Sequence, residues 1–506
     1  MHLLANVPAW PVPIGLTPVA YMINDLEYKA VGGLVWLLIN QAFTRGGATL
    51  VLLIIGAAVD PGILAPIAFI VTITSLTGLF FEDVFVHQLV RASEADRDAQ
   101  FSAARAAAAG CALVVSILIV LLSPVVAELA ALPQLDQLLM WSLPAVWAQA
   151  IQAPYLAQLR RTLNFRRQAL LSVPNIVLVA ILAYVLFQVF GPLYALVGAS
   201  VGAIVLQAIL LVLFVECPVQ GARYKHLRFA RFFRFGGRLY AASALNVVFS
   251  ALYLFVISRS FGGAELGEYF FADRGRELFV IPILGGLQTV VYVVLSRLYG
   301  DKSLLRSAFK RALHVSMMWV VPIAVAVALV AQDAADLFLG PNWSSSAQYL
   351  SLMAVAAIPM PINVINLAAY KALGRSDWLL RLEIAKKLLI LVVLFASVRW
   401  GVLGVVVGQL ILSVVAIFIN TFYATHAVGV SAFYQIRICA TYFGAGFAAF
   451  FVGWLFASLQ RAPSLYAMIA TVALIAVFYV ALLALVARHK HCAFLDAFDP
   501  VSWKRK

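Results

Sequence analysis

Charged side chains are scarce in this sequence. Asp, Glu, Lys and Arg make up 11% of the 506 residues, whereas hydrophobic residues make up 64%. An ordinary soluble domain is about one quarter charged. The mean hydropathy of +0.98 agrees with this deficit. The composition therefore excludes an ordinary soluble globular protein and predicts a membrane protein.

Cysteines and the motifs of soluble enzymes are also rare or missing. The four cysteines (Cys111, Cys217, Cys439 and Cys492) show neither C-x-x-C nor ligand-like spacing, which argues against a disulfide framework and a zinc site. The sequence has no G-x-x-x-x-G-K-[ST] phosphate loop and no H-E-x-x-H pair. We therefore expect no enzymatic activity, no catalytic residues, no metal, no cofactor and no use of ATP.

Long apolar runs fill most of the chain. A helix of about 20 apolar residues crosses a bilayer, and by this criterion the sequence predicts an all-α integral membrane protein with about fourteen transmembrane helices. The predicted spans are residues 31–57, 62–90, 101–125, 137–160, 167–189, 192–215, 238–260, 264–297, 305–331, 345–371, 376–398, 402–425, 434–458 and 465–487.

Basic residues are concentrated in alternate connections between these spans. If the N-terminus is cytosolic, most of the 36 Lys and Arg residues lie on the cytosolic side, whereas Asp60, Glu128 and Asp136 lie on the opposite side. Positive charge on the cytosolic side is the usual orientation signal, so both termini are predicted to be cytosolic. Because orientation accounts for the net charge of +14, nucleic acid is not an expected partner.

A basic connection near the middle divides the chain. Its arginines recur at helical spacing between phenylalanines, which suits an amphipathic segment on the anionic inner surface of a membrane. We interpret it as a linker between two six-helix lobes, although guiding a substrate is an alternative role. The predicted organisation is a lead-in (residues 1–28), an N-lobe (29–215), the linker (216–237), a C-lobe (238–427), two C-terminal helices (428–487) and a cytosolic tail (488–506). Many transporters are built from two such repeats, so a central cavity is expected between the lobes.

Four charged residues lie well inside the apolar span 264–297, namely Asp273, Arg274, Arg276 and Glu277. A charge near the bilayer centre costs roughly 2.5–3.5 kcal/mol on insertion scales, so such side chains usually face a cavity. One hypothesis is that an arginine binds an anionic substrate, since guanidinium groups match phosphate oxygens. The alternative is that both arginines pair with the neighbouring carboxylates and form a purely structural cluster.

The first span carries Asn40, Gln41 and Arg45 on one side of the predicted helix. At 1.5 Å per residue, Arg45 lies about 24 Å along the helix from Lys29, too deep to reach the surface easily. It is either a cavity residue that contacts an anion or the structural partner of Glu82 or Asp83.

Glu82 and Asp83 are followed by His87 in the second span. Carboxylates and histidines serve as proton or cation relays in transporters, which would make this a coupling site. The alternative is that these side chains are simply hydrated near the cytosolic end of the helix.

Five short stretches resemble the polysaccharide transporters of the multidrug/oligosaccharidyl-lipid/polysaccharide superfamily, especially the colanic-acid and teichuronic-acid exporter-like branch. They are residues 161–166 (RTLNFR), 262–269 (GGAELGEY), 294–298 (VLSRL), 339–343 (LGPNW) and 371–377 (KALGRSD). Their order and spacing carry the resemblance, which covers roughly residues 29 to 425.

The resemblance implies a two-lobed bundle of twelve to fourteen helices around a cavity. It also implies transport of undecaprenyl-pyrophosphate-linked oligosaccharides to the periplasmic leaflet of the bacterial inner membrane. Related lipid II flippases line a cationic cavity with arginines of the first and eighth helices, and Arg45 with Arg274 or Arg276 occupies comparable places here. Family members often carry Asp or Asn midway through the seventh helix, where this chain has Ala251-Leu252-Tyr253, so a cation site is not expected there.

The leading hypothesis is a flippase for lipid-linked oligosaccharide repeat units in exopolysaccharide, capsule or lipopolysaccharide synthesis. It would work by alternating access, with membrane lipids and the lipid-linked oligosaccharide as partners and a polysaccharide polymerase and co-polymerase as further ones. One alternative is a multidrug or cation antiporter of the same fold, which would favour acidic groups in its cavity. Another alternative is a membrane scaffold protein of a complex that synthesises a cell-envelope polymer, with no transport activity of its own.

Overall fold

The structure is a computed structural model that describes Trp36 and residues 47–90, 97–162, 164–217, 230–298, 301–460 and 464–489. Within these ranges the chain forms helices joined by short connections, and it forms no β-strand. The prediction of an all-α integral membrane protein is confirmed. Of the predicted site residues, Asn40, Gln41 and Arg45 lie outside the described residues.

The first half of the chain contributes eight described helices. A 3-10 turn (Pro61–Ile63) precedes the second of them and a π-helical turn (Glu82–Val86) follows it. The helices are α1 (Gly47–Ala57), α2 (Leu64–Phe81), α3 (His87–Val90), α4 (Arg97–Ala130), α5 (Leu135–Met140), α6 (Leu143–Arg161), α7 (Phe165–Phe190) and α8 (Pro192–Phe214).

The second half contributes ten more described helices. They are α9 (Ala230–Phe261), α10 (Gly263–Arg297), α11 (Lys302–Phe338), α12 (Ser344–Ala357), α13 (Met360–Ala372), α14 (Ser376–Ser397), α15 (Gly401–Thr421), α16 (Ala424–Val428), α17 (Ala432–Ser458) and α18 (Leu465–His489). Helix α9 begins inside the predicted linker 216–237, of which residues 218–229 lie outside the described ranges.

Within the described part of the chain, nine helices are long and apolar enough to cross a membrane. A tenth results if Pro341–Ala357 and Met360–Ala372, which meet at a bend of 45°, form one span. The bend falls at Pro359, whose missing N–H group cannot continue the helical hydrogen bonds. Each of the fourteen predicted intervals overlaps at least one helix, whereas the number of membrane crossings stays a prediction.

The outer surface of the bundle is apolar. Large side chains such as Leu121, Val189 and Phe447 are more than 60% exposed. A water-soluble protein rarely exposes apolar surface on this scale, whereas a bilayer covers it. The exposed side chains therefore mark the lipid-facing surface.

The two halves meet where α9 and α10 pack against α2 and the turn before it. One hydrophobic core includes residues of both halves, among them Leu64, Phe69, Ile257 and Phe270. The ring of Phe69 lies edge-on to that of Phe255, with 4.8 Å between centroids. This shared core holds α10 at the boundary between the halves.

Glycines permit the closest contact between the halves. Gly262, between α9 and α10, has a φ of 100°, a conformation that favours glycine. One turn further along, Gly267 faces the 3-10 turn so closely that an added Cβ would lie 1.7 Å from the carbonyl oxygen of Pro61. The start of α10 therefore lies directly on the backbone that precedes α2.

Candidate functional site

The four charged residues of α10 form a network of ion pairs. The Arg276 guanidinium donates from Nε to Asp273 Oδ1 at 3.2 Å, and its Nη2 donates to the same oxygen. The Arg274 guanidinium pairs with Glu277 and also approaches Asp273 Oδ2 at 3.4 Å. The two positive and two negative charges balance, so this turn of α10 carries no net charge.

The network lies deep along the helix. Asp273 follows Gly263 by ten residues, about 15 Å at 1.5 Å per residue. The four side chains are between 20% and 27% exposed, so they are neither in open solvent nor fully enclosed. In a membrane-spanning helix, ionisable groups at this depth face protein or a water-filled space.

Neighbouring side chains hold this turn of α10 in place. Tyr269, one turn before Asp273, is 5% exposed, and its hydroxyl accepts a hydrogen bond of 2.7 Å from Gln409 Nε2 of α15. The Arg274 guanidinium lies over the Phe270 ring, 5.1 Å from its centroid, a favourable cation–π geometry.

Arg274 keeps hydrogen-bonding capacity despite its ion pairs. Its Nε is buried and has no hydrogen-bond partner among the described residues. A buried N–H without an acceptor costs about 1–3 kcal/mol, so an acceptor that reaches it would be favoured. This turn can therefore still bind an oxyanion, provided that the anion displaces a carboxylate.

A second polar cluster lies at the C-terminal end of α2. Glu82 Oε1 and Arg160 Nη1 of α6 form an ion pair of 2.8 Å. Asp83, only 5% exposed, lies 3.5 Å from His87 Nε2 and shares a hydrogen bond with Ser243 of α9. The second oxygen of Asp83 has no hydrogen-bond partner in the described part of the chain.

Glu82 and Asp83 both lie in the π-helical turn Glu82–Val86. Such turns are rare and often occur at functional sites. Through Ser243, Asp83 connects a helix of the first half to a helix of the second. A change in the charge of Asp83 would therefore alter the contact between the halves.

The structure relates some predicted site residues and leaves others apart. Asp273, Arg274, Arg276 and Glu277 form one network, whereas Glu82 and Asp83 belong to the separate cluster on α2. Arg45 lies outside the described residues, so its predicted alternative pairing with Glu82 or Asp83 stays a prediction. Glu82 pairs with Arg160.

Sequence analysis did not predict several residues of these clusters, among them Arg160. Tyr269 lies four residues before Asp273, a spacing that places both on one side of a helix. Gln409 is a polar residue within an apolar span, a signal that indicates a buried partner without naming it. Ser243 gave no signal, because its role depends on α9 packing against α2.

Comparison with known proteins identifies the family. The family described as "Polysaccharide biosynthesis protein" matches residues 62–348, which is more than half of the chain. The chain belongs to this polysaccharide biosynthesis family. The match confirms the resemblance to a polysaccharide family that the sequence predicts.

One curated relative of this polysaccharide biosynthesis protein is a membrane protein from the cps region of Klebsiella pneumoniae. The two are 26% identical over 186 residues. The match covers 36% of this chain and 38% of the relative, so the shared region is well under half of either protein.

Solved structures show the same fold over most of the chain. An inward closed conformation of the lipid II flippase MurJ matches with a TM-score of 0.73 and 14% identity, covering 90% of this chain and 99% of the flippase. An inward-facing multidrug resistance MATE transporter of the MOP superfamily matches with a TM-score of 0.62 and 17% identity, covering 77% of this chain and 95% of the transporter. A MOP superfamily transporter from Pyrococcus furiosus matches with a TM-score of 0.57 and 18% identity, covering 78% of this chain and 95% of the transporter.

At these identities the likeness concerns the fold. The chain is a multi-pass membrane protein, and it shares its fold with transporters and flippases.

Proposed function

We propose that this protein is a flippase that moves undecaprenyl-pyrophosphate-linked oligosaccharide repeat units across the inner membrane by alternating access without ATP. The polysaccharide biosynthesis family and the flippase-like fold support this proposal. The observation that carries it is the pair of arginines, Arg274 and Arg276, midway along α10, in a segment that the sequence predicts to span the membrane.

The ion pairs define how these arginines would bind a substrate. A pyrophosphate offers several oxygens to guanidinium groups, which bind such anions through two parallel hydrogen bonds. It would compete with Asp273 and Glu277 for the arginines and offer an acceptor to the unpaired Arg274 Nε. The carboxylates keep the arginines in place when no substrate is bound, and substrate binding exchanges one set of acceptors for another.

Asn40, Gln41 and Arg45 of the first span would complete the site from the other half. Arg45 would supply a third guanidinium, and the two amides would bind sugar or phosphate oxygens. The undecaprenyl chain would remain in the bilayer while the head group passes between the halves. Asp273 and Glu277 would act as ion-pair partners in this scheme, and Glu82 and Asp83 as coupling groups.

In this proposal the protein lies in the bacterial inner membrane with both termini in the cytosol. The concentration of Lys and Arg in alternate connections supports this orientation. A polysaccharide polymerase and co-polymerase on the periplasmic side would receive the translocated repeat unit.

A deletion strain that lacks the protein tests the proposal. We expect loss of the surface polysaccharide and accumulation of lipid-linked repeat units on the cytosolic side, measured by extraction and mass spectrometry of the lipid-linked intermediates. Complementation with Arg274→Ala or Arg276→Ala should fail, since each variant removes a guanidinium group from the site.

Arg437→Ala is the matched control, because Arg437 is an exposed arginine of α17 remote from α10. It should restore the polysaccharide fully. Full complementation by an Arg274→Ala, Arg276→Ala double variant would contradict the proposed site and would favour a scaffold. A deletion that leaves lipid-linked intermediates unchanged would contradict the flippase function itself.

A multidrug or cation antiporter is the second candidate, and Asp83 is the observation that favours it. A buried carboxylate with one unpaired oxygen can bind a proton or a cation, and Asp83 contacts both halves. In this case Asp83→Asn should abolish drug or cation efflux from cells while leaving the polysaccharide intact. Loss of the polysaccharide in the same variant, with no change in efflux, would instead assign Asp83 to the flippase.

A further inference from the structure

A groove of about 480 Å³ lies between α4 and α6 on the first half of the protein. Ala106 and Ala109 form one wall, and Trp147 and Ile151 form the other. All four side chains are exposed, so the groove opens onto the lipid-facing surface. Its volume lies within the range of ligand sites, roughly 300–1,000 Å³.

The groove has a polar end and an apolar end. Arg105 and Tyr155 also line the groove. They lie towards the ends of α4 and α6 that carry Arg97 and Arg161. Arg105 follows Arg97, the first residue of α4, by eight residues, and Tyr155 precedes Arg161, the last residue of α6, by six. At 1.5 Å per residue these positions are about 9–12 Å from the helix ends, whereas Trp147 lies about 21 Å from the end of α6. The groove therefore runs from head-group depth into the acyl-chain region.

Arg105 is exposed and forms no ion pair with a described residue. The carboxylate of Asp98 on the same helix lies two turns away, beyond the reach of an ion pair. The polar end of the groove is therefore positively charged.

We propose that this groove binds an anionic glycerophospholipid of the leaflet that surrounds the Arg97 end of α4 and the Arg161 end of α6. The phosphate lies at Arg105, and one acyl chain lies along Ala106, Ala109 and Ile151. Charge complementarity selects an anionic lipid, and basic pockets between membrane helices on the cytoplasmic side are known to bind anionic head groups. Tyr155 adds an amphipathic ring of the kind that is enriched where a membrane meets water.

Small side chains explain how the groove can form at this point. The segment Ala106–Gly110 of α4 contains only alanine and glycine. A Cβ atom added to Gly110 would meet nothing within 4 Å, so the surface beside the groove is open. A bulky residue at Ala109 would therefore fill the apolar part of the groove without disturbing the core.

Native mass spectrometry of the purified full-length protein tests the proposal. The protein is titrated with phosphatidylglycerol and with phosphatidylethanolamine of the same acyl chains, and the bound lipids are counted. We expect phosphatidylglycerol to bind more tightly. Arg105→Ala should weaken this preference about fivefold, which corresponds to about 1 kcal/mol, whereas Arg105→Lys should retain most of it. Ala109→Phe should reduce binding of both lipids, because it occupies the place of the acyl chain.

Arg437→Ala again serves as the matched control and should bind both lipids like the unaltered protein. Equal binding of the two lipids, or unchanged binding by both Arg105→Ala and Ala109→Phe, would overturn the proposal. Displacement of bound phosphatidylglycerol by an equal amount of polyprenyl phosphate would also overturn it, since the groove would then hold a substrate-like lipid. Melting temperatures of all variants, measured in detergent, verify that each is folded.

Discussion

Gly267 of α10 faces Pro61 so closely that a Cβ atom at this position would lie 1.7 Å from the Pro61 carbonyl oxygen. Both surfaces are backbone, so no side chain can rotate to relieve the contact. Gly267→Ala must therefore push α10 away from the turn before α2, and overpacking of this kind costs about 1–3 kcal/mol. We expect a lower melting temperature in detergent for the purified variant.

Gly444→Ala is the matched control for this prediction. Gly444 is an exposed residue of α17, and an added Cβ would meet nothing within 4 Å. Alanine favours a helix over glycine by about 0.5–1 kcal/mol, so the melting temperature should stay the same or rise. Equal destabilisation of the two variants would show that the contact with Pro61 is not the cause.

The ion pair between Arg276 and Asp273 can be tested with a double-mutant cycle. Removal of one partner leaves the other charge uncompensated, which costs about 3–5 kcal/mol when a pair is buried. Because the side chains are about one fifth exposed, we expect a loss nearer the lower limit for Arg276→Ala or Asp273→Ala. The double variant should recover most of the stability, measured by thermal unfolding.

The same double variant separates stability from transport. If Arg276 binds the substrate, the stable double variant should still fail to restore the surface polysaccharide. Arg276→Lys should be stable yet weakly active, because a lysine lacks the planar fork that matches phosphate oxygens. A stable double variant that supports normal polysaccharide levels would assign the pair a structural role alone.

A designed disulfide tests whether the halves separate at the start of α10. A Cβ at Gly62 would lie 3.9 Å from the backbone nitrogen of Ala264 and 4.0 Å from its Cα, within the reach of a disulfide. We expect Gly62→Cys with Ala264→Cys to cross-link on oxidation and to block transport, and a reductant should restore activity. Either single variant should remain active under both conditions, and a cross-linked protein that transports normally would contradict alternating access at this contact.

Cys217 offers a test of the local environment at the end of α8. Burial raises the pKa of the Cys217 thiol to about 11, although Arg105 and Arg97 oppose the shift. The reactive thiolate therefore forms only as the pH rises towards 11, and at pH 8 its fraction is about 100-fold lower than for a thiol with a pKa two units lower.

Alkylation by N-ethylmaleimide at pH 8 measures this difference. In a variant whose other three cysteines are serine, native protein should react far more slowly than protein unfolded in dodecyl sulfate. Equal rates in the two states would contradict the burial of this thiol.

The sequence revealed the helices and the charged turn more readily than the partners of the charges. Apolar length alone located a helix within each predicted interval, since a bilayer demands long apolar segments. The pairing of Arg274 with Glu277 could be anticipated, because both lie on one helix at a fixed spacing.

Contacts between distant segments could not be predicted in this way. Glu82 and Arg160 are far apart in sequence, and Gln409 reaches Tyr269 only because α15 packs near α10. The contact between Gly267 and Pro61 likewise depends on the approach of two backbones, which a single sequence does not encode as a local pattern. A single sequence therefore shows which charges can pair within one helix, but not the partners that other helices supply.

The electrical neutrality of the charged turn has a consequence for the energised membrane. Moving one elementary charge through a potential of 100 mV involves about 2.3 kcal/mol. In the proposed flippase, Asp273 and Glu277 balance Arg274 and Arg276, so this part of α10 would change sides without electrical work when it is empty. The return of the unloaded protein should then proceed at the same rate in polarised and depolarised cells, as far as this turn determines it.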